Sequence, residues 1–139
     1  MNRLSQNKIT CGTVNVTQNY TYQNSATDNQ TFPLIKQVTR QVNSGAVNTT
    51  SYTYDSKGNI LTIDDGNAAN KRTYTYDDLN QLLTEVIGNT TTTYTYDNGG
   101  NITKKTVGDQ TTTWTYGDGE WHDLLTSFNG RLITYDAPP

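Results

Sequence analysis

Short runs of alternating residues recur along the chain, with aromatic side chains at one parity and threonine at the other. In the clearest run, residues 90–97, Tyr94 and Tyr96 share one parity while Thr93 and Thr95 share the other. Successive side chains of a strand point to opposite faces, so this pattern predicts a strand with one tyrosine face and one threonine face. β-branched and aromatic residues also favour pleated strands.

Turn-forming residues follow each of these runs. Residues 97–101 read Asp-Asn-Gly-Gly-Asn, in which the Asp carboxylate accepts bonds from nearby backbone N–H groups and Gly permits positive φ. Residues 102–107 then form a return strand, and residues 108–110 turn the chain again. Each unit is therefore predicted to be a β-hairpin with short loops. No segment predicts a helix, because the helix-friendly stretch 66–71 is too short.

The runs form a repeat with a period near 20 residues. An aromatic-Thr-Tyr triplet followed by Asp or Gly ends at Tyr54, Tyr76, Tyr96 and Tyr116, which are 22, 20 and 20 residues apart. A weaker copy ends at Tyr22, and residues 133–136 form a last one. Such a repeat indicates architecture rather than catalysis, because catalytic sites are usually single constellations.

We therefore predict one all-β domain over residues 1–139, built from tandem antiparallel β-hairpins in a spiralling, twisted sheet. A long first hairpin occupies about residues 12–43, with strands at 14–22 and 34–42, a loop at 24–31 and Pro33 at a strand start. Regular repeats follow at about residues 48–117. A terminal hairpin covers about residues 121–136 and turns at Asn129-Gly130, the strongest two-residue hairpin signal.

The composition limits how such a domain is held together and what it binds. Only 32% of the residues are hydrophobic, so ladder hydrogen bonds, stacked tyrosines and cross-strand threonine pairs are expected to replace a large aliphatic core. The net charge of −3 and the scattered cations argue against nucleic acid. No apolar run approaches the ~20 residues of a membrane span. Cys11 stands alone, is expected in a strand or at an edge, and excludes an intrachain disulfide.

The chain offers few side chains for catalysis or metal binding. His122 is the single histidine, and no thiolate cluster accompanies it. Residues 64–67, Asp-Asp-Gly-Asn, supply oxygen ligands but lack the rest of a twelve-residue calcium loop, so we interpret them as a solvated turn. We predict no catalytic residue, no cofactor site and no metal site, and hence no enzyme.

Three turns resemble a known repeat family. Residues 54–60 (Tyr-Asp-Ser-Lys-Gly-Asn-Ile), 76–82 and 96–102 are similar to the YD repeat of bacterial Rhs proteins, wall-associated toxins and animal teneurins. The resemblance covers most of the chain and is strongest over residues 49–136. It implies a long antiparallel sheet, wound into a hollow shell that encloses a toxin segment in a secreted or cell-surface bacterial protein. The structural repeat signature consists of Tyr52, Tyr54, Asp55, Gly58, Tyr74, Tyr76, Asp77, Tyr94, Tyr96, Asp97, Gly100, Trp114, Tyr116, Tyr135 and Asp136.

Three functional hypotheses follow. The first is a non-catalytic structural module, part of a β-sheet shell wall or surface fibre, whose partners are adjacent repeats and, through the resemblance, an enclosed toxin segment. The second starts from residues 2–5 and 133–136, which are similar to the second and first halves of a repeat. Either the sequence is a piece of a longer repeat array, or edge-strand pairing between copies joins subunits head-to-tail into a fibre. The third is a carbohydrate-binding adhesin module, in which tyrosine rings stack on sugars and Asn, Gln and Asp bond their hydroxyls.

Overall fold

The computed structural model describes residues 3–24, 31–117 and 121–136, and within these residues the chain is all-β. The predicted all-β fold of antiparallel hairpins is confirmed. The strands are β1 (Gln6–Cys11), β2 (Val14–Asn24), β3 (Thr31–Val42), β4 (Val47–Tyr54), β5 (Ile60–Asp64), β6 (Arg72–Tyr76), β7 (Leu82–Ile87), β8 (Thr90–Tyr96), β9 (Ile102–Val107), β10 (Gln110–Tyr116), β11 (Leu125–Phe128) and β12 (Arg131–Leu132).

Contacts divide the chain into two compact units, Met1–Thr73 and Tyr74–Pro139, with the boundary inside β6. The expectation of a single domain stays a prediction. In the first unit, each strand pairs antiparallel with the next along the chain. Examples of the register are Tyr20 opposite Val38 and Tyr52 opposite Ile63. The first residues of β6 extend this series, with Thr73 opposite Thr62.

The second unit follows the same plan from β7 to β12. Thr93 of β8 lies opposite Thr84 of β7 on one side and Thr106 of β9 on the other. Thr106 in turn lies opposite Thr111 of β10, so threonines form a row across four strands. The last hairpin pairs Phe128 with Arg131 around the predicted turn at Asn129 and Gly130.

Four repeats contain a register shift at the same place, between the threonine and the second tyrosine of the triplet. The shifts follow Thr21, Thr53, Thr95 and Thr115. In each case the return strand carries one extra residue, as in a β-bulge, which raises the local right-handed twist. The repeat therefore includes a bend as well as a strand and a turn, and alternation alone does not reveal that bend.

The two ends differ from the predicted outline. Strand β1 and its turn at Gly12 were missed, although Cys11 does end that strand. Strands β2 and β3 run further than predicted, and Pro33 lies inside β3 rather than at its start. Positions 25–30 of the predicted loop lie outside the described residues.

The terminal hairpin is shorter than the predicted range of residues 121–136. Its paired strands, β11 and β12, cover only Leu125–Phe128 and Arg131–Leu132. The segment before β11 is a turn, because the Leu124 amide donates to the Trp121 carbonyl (3.2 Å). Residues 133–136 are not in a strand.

Burial agrees with the predicted absence of a large aliphatic core. Among the described residues no hydrophobic side chain is fully buried, and Thr92, at 7% exposure, is the only buried polar residue. The tyrosine-parity residues Thr92, Tyr94 and Tyr96 of β8 are buried or half-buried, while their threonine-parity neighbours are exposed. We call these surfaces of the sheet the Tyr face and the Thr face.

Candidate functional site

The repeated tyrosine-aspartate turn is the most elaborate local structure of the chain. At its first occurrence, Asp55 Oδ1 accepts bonds from the amides of Lys57 (2.9 Å) and Asn59 (2.8 Å), while Oδ2 accepts from Asn59 Nδ2 (2.9 Å). The Asp55 amide donates to the Asn59 carbonyl (2.9 Å), and the Gly58 amide donates to the Asp55 carbonyl (3.2 Å). One side chain thus satisfies several backbone donors in the tip of the hairpin.

The turns at Asp77 and Asp97 repeat the backbone-amide bonds of the Asp55 turn, and the side-chain amide bond to Oδ2 recurs at Asp97. Asp77 Oδ1 accepts from the amides of Leu79 (2.9 Å) and Gln81 (2.8 Å). Asp97 Oδ1 accepts from the corresponding amides two and four residues on (both 2.9 Å). The three turns are therefore copies of one structural module, even though the turn at Asp77 lacks the Gly-Asn-Ile that the other two share.

A left-handed residue completes each copy of the turn. It is Gly58 (φ 92°), Asn80 (φ 65°) or Gly100 (φ 88°). Glycine and asparagine are the residues that adopt this conformation at low cost. The signature residues Gly58 and Gly100 are thus explained by backbone geometry, and Asn80 is their equivalent.

Electrostatics at the Asp55 and Asp97 turns favour the ionised carboxylate. The Asn59 side-chain bond, opposed by partial desolvation and aided by nearby amides, lowers the pKa of Asp55 below its usual value. The Asn101 amide and side chain lower the pKa of Asp97 in the same way. Both carboxylates are fixed acceptors of backbone bonds, which is a structural role rather than that of a proton-transfer group.

In four repeats, the second tyrosine of the triplet joins its repeat to the preceding one. The Tyr54 hydroxyl donates to the carbonyl of Ile35 (2.7 Å), and Ile35 is the residue paired with Tyr22 of the repeat before. The Tyr96 hydroxyl donates to the Leu82 carbonyl (2.8 Å). We call this contact the repeat-joining hydrogen bond.

The same bond recurs near both ends of the described chain. The Tyr22 hydroxyl donates to the Leu4 carbonyl (2.8 Å), and the Tyr135 hydroxyl donates to the Leu125 carbonyl (2.8 Å). Leu125 is paired with Tyr116, as Ile35 is paired with Tyr22. Four tyrosines, each 10 to 19 residues after its acceptor, therefore make the same repeat-joining hydrogen bond.

Partial burial marks two of these tyrosines. Desolvation, with a smaller contribution from Tyr52, raises the pKa of Tyr54. Desolvation also raises the pKa of Tyr96, with Tyr94 and Asp77 adding to the effect. Both hydroxyls therefore remain protonated donors at neutral pH, as the repeat-joining hydrogen bond requires.

Threonine pairs repeat on the opposite face. The central threonine of a triplet lies beside a threonine of the return strand: the hydroxyl oxygens of Thr53 and Thr62 are 2.6 Å apart. The Thr75–Thr84 pair has the same separation, 2.6 Å. A third pair, Thr95 and Thr103, is at 3.0 Å. Cross-strand threonine pairs of this kind each contribute roughly 0.2–1 kcal/mol.

The remaining signature residues occupy the Tyr face or a turn. The ring of Tyr94 lies 5.7 Å from Lys105 Nζ, and the ring of Trp114 lies 5.9 Å from that of Phe128. Tyr52, Tyr74, Tyr76 and Tyr116 are half-buried on their strands, and Asp136 is exposed after β12. The structure places them at equivalent points of successive hairpins instead of gathering them at one point, as a catalytic centre requires.

The acidic segment at residues 64–67 uses its carboxylates within the turn. Asp64 forms an ion pair with Lys71 Nζ (3.3 Å), and Asp65 accepts from Asn70 Nδ2 (3.0 Å). The part of the chain that the structure describes contains no group of three His, Cys, Asp or Glu residues placed to hold a metal ion. His122 is exposed. The described residues also include no helix long and apolar enough to cross a membrane.

The sequence did not reveal the carbonyl acceptors of the repeat-joining hydrogen bond. They belong to Leu4, Ile35, Leu82 and Leu125, at or near the start of a return strand. An apolar residue recurs five positions after the turn aspartate, as in Ile60, Leu82 and Ile102. That spacing marks the position, but only the cross-strand register shows which tyrosine reaches it.

Repeated hairpins, identical turns and recurrent joining bonds define a tandem β-hairpin repeat protein. A family model described as the teneurin YD-shell matches residues 2–137, and the chain belongs to that family. The resemblance to the YD and Rhs repeats is thereby confirmed. A comparison with curated proteins found no match.

Proposed function

We propose that this chain is a non-catalytic module of a secreted or cell-surface protein, in which it forms part of a β-sheet shell wall or surface fibre. The repeat-joining hydrogen bond is the observation that carries the proposal. It fastens four repeats to the preceding one by the same contact, so hairpins can be added in series without a new kind of interface. Membership of the YD-shell family supports the structural role.

The proposal also assigns the two faces of the sheet. Rings and other half-buried groups occupy the Tyr face, whereas the Thr face is exposed and hydroxyl-rich. An incompletely buried aromatic surface favours contact with another surface. We infer that the Tyr face is the covered side of the wall, against an enclosed segment where the wall forms a shell, and that the Thr face meets solvent.

Two adjacent lysines of β9 provide a matched test. Lys104 is exposed on the Thr face, and Lys105 is half-buried on the Tyr face beside Tyr94. Each lysine is changed to cysteine in a Cys11→Ser background. Cells that produce each variant within the whole protein are then treated with a membrane-impermeant maleimide. We expect rapid labelling of the Lys104→Cys variant and labelling of the Lys105→Cys variant only after denaturation. Equal labelling of both before denaturation would refute the covered Tyr face.

A second candidate function is assembly of copies through a sheet edge. Within the described residues, β1 pairs only with β2, and five of its six residues are exposed, including Ile9 at 54%. An exposed strand edge is a template for pairing with another chain. This supports a fibre in which β1 receives a strand from another copy.

Electron microscopy and size-exclusion chromatography of the purified chain test this candidate. We expect fibres or large oligomers that Ile9→Lys abolishes, because lysine on an edge strand opposes pairing. The matched control is Val47→Lys, which changes a side chain of similar exposure (53%) on a strand that is not at the edge. A monomer at high concentration, or equal loss of assembly in both variants, would refute assembly through β1.

A further inference from the structure

Two asparagine-glycine sequences lie in hairpin turns, and the structure places them in different surroundings. They are Asn98-Gly99, between β8 and β9, and Asn129-Gly130, between β11 and β12. Asparagine followed by glycine is chemically labile, because the glycine amide nitrogen can attack the asparagine side-chain carbon and glycine has no side chain to hinder the approach. The two sequences are equivalent as peptides, so a difference in their reactivity comes from the fold.

The side chain of Asn98 is unrestrained. It is exposed, and it makes no hydrogen bond with the described residues. The residues that follow the aspartate in the other two turns are Ser56 and Asp78. Among the three aspartate turns, only this one therefore carries a labile amide directly after the aspartate.

A proton acceptor lies beside the attacking nitrogen of Gly99. The Gly99 amide donates to Asp97 Oδ1 at 2.9 Å, which is within the distance that proton transfer requires. The Asn101 amide and side chain lower the pKa of Asp97, so the carboxylate is ionised at neutral pH. Asp97 can therefore take the proton that the Gly99 nitrogen loses when it attacks.

The side chain of Asn129, in contrast, is held by the neighbouring strand. Asn129 Oδ1 accepts from the Thr113 amide (2.8 Å), and the Asn129 amide donates to the Thr113 carbonyl (2.9 Å). Attack by the Gly130 nitrogen requires rotation of the Asn129 side chain, which breaks its bond from Thr113. The fold therefore restrains this asparagine and leaves Asn98 free to react.

We propose that Asn98 is a site of spontaneous deamidation. The Gly99 nitrogen forms a bond to Cγ of Asn98 as its proton passes to the Asp97 carboxylate. The bond between Cγ and Nδ2 then breaks, and ammonia leaves with that proton. One water molecule opens the resulting cyclic imide at either carbonyl, which gives aspartate or isoaspartate at position 98. The net reaction is hydrolysis of an amide, so water is the only other reactant.

The two products differ in their effect on the turn. Aspartate is compatible with it, because Asp78 occupies the equivalent position of another turn. Isoaspartate adds a carbon atom to the backbone between residues 98 and 99, which displaces the Gly99 amide from Asp97. Formation of isoaspartate therefore opens the turn between β8 and β9 and leaves the turns at Asp55 and Asp77 intact.

Mass spectrometry of peptides from the full chain, aged at neutral pH in water enriched in heavy oxygen, measures conversion at both asparagines. In the folded chain, Asn98 should convert at least roughly tenfold faster than Asn129, because the two bonds to Thr113 restrain Asn129. In guanidinium chloride, where the fold is lost, the two rates should become similar. No conversion at Asn98, or equal rates in the folded chain, would overturn the proposal.

Asp97→Asn tests the proton acceptor, since the variant keeps an oxygen for the Gly99 amide but has no basic carboxylate. Conversion at Asn98 should slow by roughly tenfold or more, while conversion at Asn129 should stay unchanged. A loosened turn in this variant would speed conversion at Asn98, so partial unfolding does not mimic the expected result. An unchanged or higher rate at Asn98 would contradict proton transfer to Asp97.

Amide hydrogen exchange at Asn101 tests the effect of the products. Asn98→Asp, which has the charge of the aspartate product and an ordinary backbone, should keep the Asn101 amide protected. The isoaspartate-containing fraction of the aged chain should lose this protection. Equal protection in the two samples would contradict opening of the turn.

Discussion

Removal of one tyrosine hydroxyl tests whether the repeat-joining hydrogen bond stabilises the sheet. Tyr96→Phe deletes the donor to the Leu82 carbonyl (2.8 Å) and leaves the ring in place. The ring of Tyr96 is half-buried, so packing on the Tyr face should be nearly unchanged. The variant therefore reports on the hydroxyl alone.

The expected cost follows from the bond and its surroundings. A typical intramolecular hydrogen bond contributes about 0.5–1.5 kcal/mol net to folding. At Tyr96, partial burial limits how well water replaces the lost donor, so we expect a loss toward the upper part of this range. At Tyr135, which is 55% exposed and makes the same bond to Leu125, water is available and the loss should be smaller. Tyr94→Phe is the control, because the Tyr94 hydroxyl has no hydrogen bond with the described residues.

Urea denaturation and amide hydrogen exchange measure these differences. We expect Tyr96→Phe to lower the free energy of unfolding by about 1 kcal/mol and to speed exchange in β7 and β8. Tyr135→Phe should lower it by less, and Tyr94→Phe should leave it unchanged. The reasoning is refuted if Tyr96→Phe is as stable as the wild type, or if Tyr94→Phe is equally destabilising.

Three further predictions concern the turn and its ionisable groups. Gly100→Ala should destabilise the chain by roughly 1–2 kcal/mol, because Gly100 has φ 88°. Gly100→Asn should destabilise it less, since Asn80 adopts φ 65° at the equivalent position. Thermal unfolding compares the two variants, and equal losses of stability would contradict this. Because the pKa of Asp97 is lowered by folding, its carboxylate contributes to the free energy of unfolding above the unfolded pKa of about 3.9. That contribution is lost as pH falls through the lower folded pKa. Asp97→Asn should therefore weaken the pH dependence of the free energy of unfolding below about pH 4. An unchanged pH dependence would contradict a stabilising role of the Asp97 carboxylate. Because the pKa of Tyr54 is raised by folding, its protonated phenol contributes to the free energy of unfolding below about pH 10. That contribution is lost as pH rises through the folded pKa. Spectrophotometric titration isolates the Tyr54 phenol when the spectrum of Tyr54→Phe is subtracted from that of the wild type. This phenol should ionise at higher pH in the folded chain than in the unfolded chain, and ionisation at the same pH in both would contradict the assigned burial.

Much of the strand pattern was predictable because local chemistry determines it. Residues 102–107 were predicted as a return strand from the turn at Asp97 and from β-branched residues, and β9 occupies the same positions. The terminal segment was predicted less well. The terminal hairpin was predicted to start at about residue 121, but a turn between Trp121 and Leu124 limits β11 to four residues. Apolar character without strict alternation does not distinguish a strand from the turn that precedes it.

The candidate site was predictable only in part, for a related physical reason. The aspartate turn is local, with all its bonds within four residues, so the sequence indicated its role. The acceptors of Tyr54 and Tyr96 lie 19 and 14 residues away, and they depend on the register of a third strand.

Amide hydrogen exchange at the three aspartate turns tests the central claim, that one structural module is repeated along the chain. The amides of Asn59, Gln81 and Asn101 each donate to the carboxylate of their own turn, at 2.8, 2.8 and 2.9 Å. We predict similar protection at all three positions, and loss of protection only at Asn101 in Asp97→Ala. Exchange of these amides at the rate of an unstructured peptide, or protection at only one of the three turns, would contradict the claim.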